Sequence, residues 1–459
     1  MKEFIQTLKN IWSLKELRDK ILLTLSLILV YRFASFISLP AINMAEVGDL
    51  LDKYQSQGGS KQGAGLLGLL SSFTGGAFSR ASVMALGIMP YISASIIVQL
   101  MGMAIPYLKK LQNDGESGRN TLNQITRWLT IGVCLVQAPS YLTSITKVFL
   151  PYQQFQSAYF VDPNSVMFWL PSIVILVAGS VFAMWLGEKI TDKGIGNGIS
   201  ILIMVGILAR LPESFIQEFT TKTTTGGSGA IVLLIEVLFW LVVILLAIVL
   251  SVAVRKIPIQ YVSRAQARGG VNRNLMEGAR QWIPLKVNAA GVMPIIFAQA
   301  LMFVPGLLTG LDESNTFLAG FKNVFSWQYN LLFALLIIVF TFFYTAITIP
   351  VNQMADDLKR NGGLVPKVRP GKETADYLDN ILSKITLPGS IFLAIFAILP
   401  ALVHGTLVST DGFALFFGGT SLLIMVGVVL DTVQQINTYL LNHHYDGLMQ
   451  SKLSRTSNN

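Results

Sequence analysis

The chain is 459 residues long, 52% hydrophobic and only 13% charged, against about 25% charged in an ordinary soluble domain. That shortfall, with a mean hydropathy of +0.58, excludes a cytosolic enzyme, a disordered chain and a disulfide-stapled secreted domain, since Cys134 has no second cysteine to pair with. The net charge of +9 must sit outside the apolar segments, and three histidines leave little for metal chemistry.

Residues 1–20 open the chain with Phe4, Leu8, Ile11 and Trp12 on one helical face and Lys2, Lys9 and Glu16 elsewhere. This is the pattern of a helix lying on a membrane surface; a frayed terminus is the plain alternative. Ten stretches then come close to the roughly 20 apolar residues that a bilayer-crossing helix needs. They are 21–39, 81–105, 128–149, 165–187, 199–212, 230–254, 288–310, 328–350, 386–404 and 414–436, the fifth being short. The apolar run after Lys20 is longer than the core of a secretory signal, and Glu3, Glu16 and Asp19 precede it, so it reads as a retained span.

Between the first two spans lies a glycine-rich apolar insert, 63–78, too short to cross a bilayer. Its Leu66, Leu67, Leu69, Leu70 and Phe73 are ill suited to water, which predicts a short, loosely held helix tucked into the protein between glycine hinges. A surface re-entrant loop is the other reading.

Lysine and arginine set the orientation. Of the 34, 26 fall in segments facing one way, 7 in segments facing the other, and Arg32 lies within the first span. Both termini and the long loops 255–287 and 351–385 are therefore expected in the cytoplasm. The expected organisation is a surface segment 1–20, a first half 21–212 holding the insert, a second half 230–436 holding both loops, and a tail 437–459.

Span two reads Gly87-Ile-Met-Pro90-Tyr-Ile92-Ser-Ala94 and span seven reads Gly291-Val-Met-Pro294-Ile-Ile296-Phe-Ala298. These are the second spans of two five-span halves, crossing in opposite directions. The echo predicts an inverted repeat with a functional centre at its interface, and the prolines predict a bend in each span.

Ionisable residues are nearly absent from mid-span, where a solute carrier keeps them. Arg32 is expected to snorkel, Glu236 to reach the interface or a neighbour, His404 to serve structurally at a span end, and Cys134 to be a small buried hydrophobe. No catalytic constellation appears, and Gly194-Ile-Gly-Asn-Gly198 lacks the context of a nucleotide loop. The combination fits an apolar conduit that excludes ions by dewetting when narrow. An inverted-repeat secondary transporter is the alternative; it would need a polar pocket and a coupling ion, which the sequence scarcely provides. The basic loop 255–287 and the mixed loop 351–385 obey the positive-inside rule, and can also touch anionic lipid, an acidic partner or RNA phosphates.

The run Ser79-Arg-Ala-Ser-Val-Met-Ala-Leu-Gly-Ile-Met-Pro-Tyr-Ile-Ser-Ala-Ser-Ile-Ile-Val-Gln99 resembles a signature of the SecY family of protein-conducting channels. So do Gly187-Glu-Lys-Ile-Thr-Asp-Lys-Gly-Ile-Gly-Asn-Gly-Ile-Ser200, Pro284-Leu-Lys-Val-Asn288, Val368-Arg-Pro-Gly371 and Phe417-Gly-Gly-Thr-Ser-Leu-Leu-Ile424. The resemblance covers essentially the whole chain. It implies an all-α membrane protein with ten spans in two pseudo-symmetric halves around an hourglass pore in the bacterial cytoplasmic membrane. It implies no cofactor, SecE and SecG as partner subunits, and the SecA ATPase or a ribosome engaging the cytoplasmic face as preproteins pass. Position by position, Ile88, Ile92, Ile203, Ile296 and Ile424 would form the constriction and residues 63–78 the plug. Ser93 and Gln99 would belong to a lateral gate, and Arg369 would engage SecA. Loop 255–287 departs from the family's paired arginines, reading Arg268-Gly-Gly-Val-Asn-Arg273, so Arg264, Arg268 and Arg273 stand as docking candidates.

Overall fold

The computed structural model describes residues 12–43, 74–78, 80–146, 159–224, 229–261, 281–302 and 320–456. The surface segment before Trp12, the insert's Leu66, Leu67, Leu69, Leu70 and Phe73, and the loop arginines Arg264, Arg268 and Arg273 lie outside these residues. The chain divides into two compact units, Met1–Gln217 with Val428–Asn459, and Glu218–Gly427.

In the first unit, α1 (Lys15–Ala34), α2 (Met89–Ala104), α3 (Pro106–Asn113), α4 (Gly115–Ser144) and α5 (Val166–Lys193) follow in order. Next comes α6 (Gly198–Thr224), within which the division falls. The core gathers Leu39, Ile42, Phe78, Ala81, Tyr141, Leu142, Phe168 and Leu176. Short backbone ties hold the segment entering α2: Leu39 N–H donates to Ala81 at 2.8 Å, and Val83 N–H to Ile37 at 2.8 Å. In both units several buried threonine hydroxyls are satisfied within their own helices. Thr126, Thr130, Thr341 and Thr386 each donate to the carbonyl four residues earlier, which removes the cost of an unpaired polar group in an apolar setting.

The second unit contains α7 (Gly229–Val252), strands β1 (Val254–Tyr261) and β2 (Gln281–Lys286), α8 (Met293–Leu301), α9 (Trp327–Thr348) and α10 (Val351–Arg360). Strand β3 (Gly363–Leu364), α11 (Lys372–Val403), α12 (Asp411–Ala414) and the start of α13 (Gly419–Thr456) complete it. The strands form an antiparallel sheet in the order β2-β1-β3, with Ile257 opposite Ile283 and Gln260 opposite Leu364. Proline removes a ladder donor and is tolerated where a strand has an open side. Pro284 lies in the edge strand β2, and Pro258 lies where β1 pairs with β2 but not with β3. The inward residues Ile257, Ile259 and Leu285 pack on Leu358, Leu378 and Leu382. Beneath so polar a surface, burying each such side chain stabilises by about 1.5–3 kcal/mol. Between spans the gain comes from close packing and hydrogen bonds instead.

All ten predicted spans fall wholly or partly on helices. Among the described residues six helices are long and apolar enough to cross a membrane, or seven if α2 and α3 form one broken span. The 255–287 and 351–385 segments hold more order than loops: they supply the sheet, α10 and the first turns of α11. The tail continues α13 as helix to Thr456.

One expectation is overturned. Pro90 and Pro294 do not bend helices from within; each is the second residue of its helix, α2 or α8. A first-turn amide has no intrahelical acceptor, so proline's missing N–H costs nothing there and its fixed φ suits the helix start.

Candidate functional site

Three of the five residues expected to form the constriction, Ile88, Ile92 and Ile296, are set up by two like-built helix starts. Gly87 and Gly291 have φ of +53° and +63°, a left-handed conformation that only glycine adopts without strain. Each turns the chain into its helix just before Met-Pro. Ile88 caps α2 and is 4% exposed, and Ile92, whose N–H bonds the Ile88 carbonyl at 3.0 Å, is half-buried one turn on. Ile203 on α6 and Ile424 on α13 are buried, and Ile296 on α8 is half-buried. Within the second unit, a Cβ added to Gly427 would meet Val292 Cγ2 at 2.9 Å. That close approach seats α13 against the start of α8, so Ile424 and Ile296 stand on neighbouring helices. Ser93 and Gln99 are half-buried on α2, and Gln99 Nε2 donates to Ser95 Oγ at 3.3 Å.

The far end of the 63–78 insert is tied by side chains. Arg32 Nη1 and Arg80 Nη2 both donate to the Gly75 carbonyl at 3.1 Å, and both guanidiniums lie over the Phe36 ring, at 5.0 and 4.5 Å. Arg32, expected to snorkel, is half-buried, and a carbonyl and an aromatic face supply its partners. Tyr141 of α4 donates to the Phe78 carbonyl at 2.8 Å and meets the Phe78 ring edge-on. Burial pushes the Tyr159 phenol, beside this core, well above the usual range.

A buried ionic cluster in the second unit went largely unread in the sequence. Glu218 is 0% exposed and accepts from the backbone N–H groups of Ser409 at 3.0 Å and Thr410 at 2.8 Å, and from the Thr410 hydroxyl. Lys222 lies 3.8 Å from Glu218 and 2.9 Å from Glu236, and donates to the Leu407 carbonyl at 2.8 Å. Glu236 thus reaches a neighbour, as foreseen. The Glu218 to Lys222 spacing of four, which places both on one helical face, was the available signal. Nearby in sequence, His404 Nε2 lies 2.6 Å from Asp411, and its ring stacks on Phe325 at 4.0 Å.

The Gly194–Gly198 turn does more than permit a bend. Its Ile195 N–H donates to Thr24 Oγ1 at 3.2 Å, its Gly196 N–H to the Gln435 side chain, and its Gly198 N–H to Thr191 Oγ1 at 2.9 Å. Beside it, Arg127 forms a two-pronged bond with Glu188 at 2.9 and 2.7 Å. That carboxylate holds the guanidinium above the usual arginine range. Cys134 is fully buried. Arg369 is 86% exposed, with Glu373 at 3.9 Å. Among the described residues no cluster of His, Cys, Asp and Glu is suited to a metal.

The SecY family model matches residues 82–433. The protein translocase subunit SecY of Aquifex aeolicus is 38% identical over 442 residues, covering 95% of this chain and 98% of its own. That of Halalkalibacterium halodurans is 39% identical over 455 residues, covering 97% of this chain and 100% of its own. Among solved structures, a protein-conducting channel superposes with a TM-score of 0.58 at 17% identity, covering 91% of each chain. The Sec61 of a canine ribosome-channel complex from the endoplasmic reticulum does so with a TM-score of 0.55 at 16% identity, covering 91% of each chain.

Proposed function

Because the chain belongs to the SecY family, we propose that it is the central channel subunit of the general secretory translocase. It conducts unfolded polypeptides across a membrane and releases apolar segments sideways into lipid. It is a channel and not an enzyme, and the secondary-transporter alternative has no support in its relatives. The carrying observation is the match to SecY relatives over nearly the whole chain.

The finer reading follows from residue chemistry. Ile88, Ile92, Ile203, Ile296 and Ile424 form an apolar gasket that dewets around an empty path and yields around an extended chain. Residues 63–78 plug it, and the Arg32–Gly75–Arg80 contact is the anchor from which the plug hangs. Ser93 and Gln99 line the lateral gate. The membrane is the bacterial cytoplasmic membrane, with both termini inside. Arg369, with Arg264, Arg268 and Arg273, faces the cytoplasm for SecA or for ribosomal RNA phosphates, anionic lipid surrounds the basic rim, and SecE and SecG complete the complex. Energy comes from the partner or the membrane potential.

Reconstitution tests this. Vesicles holding the chain with SecE, supplied with SecA, ATP and a labelled preprotein, are expected to accumulate protease-protected preprotein. Cysteines replacing Ile92 and Ile296 are expected to crosslink to an arrested chain. Absence of protected preprotein with active partners rejects the function, and crosslinks confined to peripheral loop cysteines reject the ring.

A further inference from the structure

We propose that Glu218, Lys222 and Trp240 are positioning residues that set where Ile424 stands on the polypeptide path. The proposal rests on the reading of Ile424 as a constriction residue.

Residues 404–418 link α11 to α13, and Ile424 sits in the second turn of α13. Three side chains grip this link by its backbone. Lys222 donates to the Leu407 carbonyl at 2.8 Å. Glu218 accepts from the N–H groups of Ser409 and Thr410 at 3.0 and 2.8 Å. Trp240 of α7 donates from Nε1 to the Phe416 carbonyl at 2.9 Å. Packing reinforces the last grip: Phe239 stacks on Phe417 with centroids 6.0 Å apart, and Phe413 meets Phe417 edge-on at 5.3 Å. Phe417 is fully buried.

The four hydrogen bonds hold main chain, so they fix the course of the link's backbone. The last, at Phe416, lies three residues before Gly419, where α13 begins. A helix rises about 1.5 Å and turns about 100° per residue. A slip of one residue at this end would therefore carry Ile424 off its face as well as along the axis. Further along, the close approach of Gly427 to Val292 seats the helix laterally.

The cluster's composition suits this task. A buried carboxylate is costly unless hydrogen bonds satisfy it, and Glu218 has two backbone amides and a hydroxyl. Lys222 binds Glu236 of α7 at 2.9 Å while holding Leu407. The ends of α6 and α7 and the link thus form one bonded frame, with Trp240 one turn further along α7.

The test uses the full chain reconstituted with its partners and an arrested secretory chain. Single cysteines replace Leu423, Ile424 or Met425, neighbours about 100° apart around α13. In the otherwise unaltered chain the cysteine at 424 is expected to crosslink most strongly. With Glu218→Gln or Trp240→Phe, the yield at 424 is expected to fall several-fold while that at 423 or 425 rises; Glu218→Asp, which keeps the carboxylate, restores part of the original pattern. A merely structural role moves all three yields together. An unchanged pattern, or an equal fall at all three positions with both variants, overturns the proposal. If the cysteine at 424 fails to crosslink before any variant is added while one at 92 succeeds, the constriction reading of Ile424 is wrong and the positioning role falls with it.

Discussion

Tyr141 reaches from α4 to donate to the backbone carbonyl of Phe78 at 2.8 Å, with its ring edge-on to that residue's own ring at 4.7 Å. One side chain thereby holds both the main chain and the side chain of the segment that leads from the insert into α2. Arg32 and Arg80 hold the same short stretch three residues earlier, at Gly75.

Tyr141→Phe keeps the ring contact and removes the bond. The Phe78 carbonyl keeps the longer contact from Ala81 N–H at 3.4 Å, and the expected loss is about 1 kcal/mol. Thermal unfolding in detergent measures it, and an unchanged midpoint would show that the ring packing alone fixes Phe78.

Lys222→Met leaves Glu218 and Glu236 buried without a cation. Breaking a buried pair from one side costs about 3–5 kcal/mol, and the variant is expected to unfold at markedly lower temperature. Adding Glu236→Gln to it is expected to recover much of the loss. A double variant no more stable than the single one would mean that Lys222 acts through Leu407 and not through charge.

Arg127 and Glu188 make well-shaped bonds in a more exposed place, with side chains 47% and 22% accessible. A double-mutant cycle with Arg127→Gln and Glu188→Gln is expected to give a coupling below about 1 kcal/mol that shrinks with added salt. A larger, salt-insensitive coupling would place the pair in a far drier setting than this exposure describes.

Arg369→Glu separates docking from folding. The side chain is 86% exposed, and its ion partner Glu373 stands 3.9 Å away. Stability is expected to change by less than about 0.5 kcal/mol, whereas SecA-driven export into vesicles is expected to fall severalfold. Normal export removes the docking role; a lost fold removes the separation.

The helices were legible because apolar length is a strong signal, and each of the ten stretches falls at least partly on helix. Among the described residues six or seven helices are long and apolar enough to cross a membrane. What escaped was local chemistry. The Gly-X-Met-Pro echo was visible, yet its prolines were read as bends, because a span's true first turn is invisible when apolar residues continue on both sides. The sheet escaped because Arg255, Lys256 and Lys286 made its strands look like basic loop, although Ile257 and Ile259 alternate as a strand's inward residues do. Glu218 and Lys222 escaped because they lie beyond the apolar stretch that suggested a span ending at 212, while α6 runs on to Thr224. Expected roles for Leu66, Leu67, Leu69, Leu70 and Phe73 rest on sequence, since these residues lie outside those the structure describes.

The small sheet has a mechanical consequence. β1 follows α7 directly, and β2 ends at Lys286, five residues before Gly291 turns the chain into α8. The ladder also ties both to Leu364, which lies between α10 and α11. A pull on either long loop is therefore shared across the strands as shear, and is delivered as load to the ends of four helices at once. A weight hung on one loop is borne by the other.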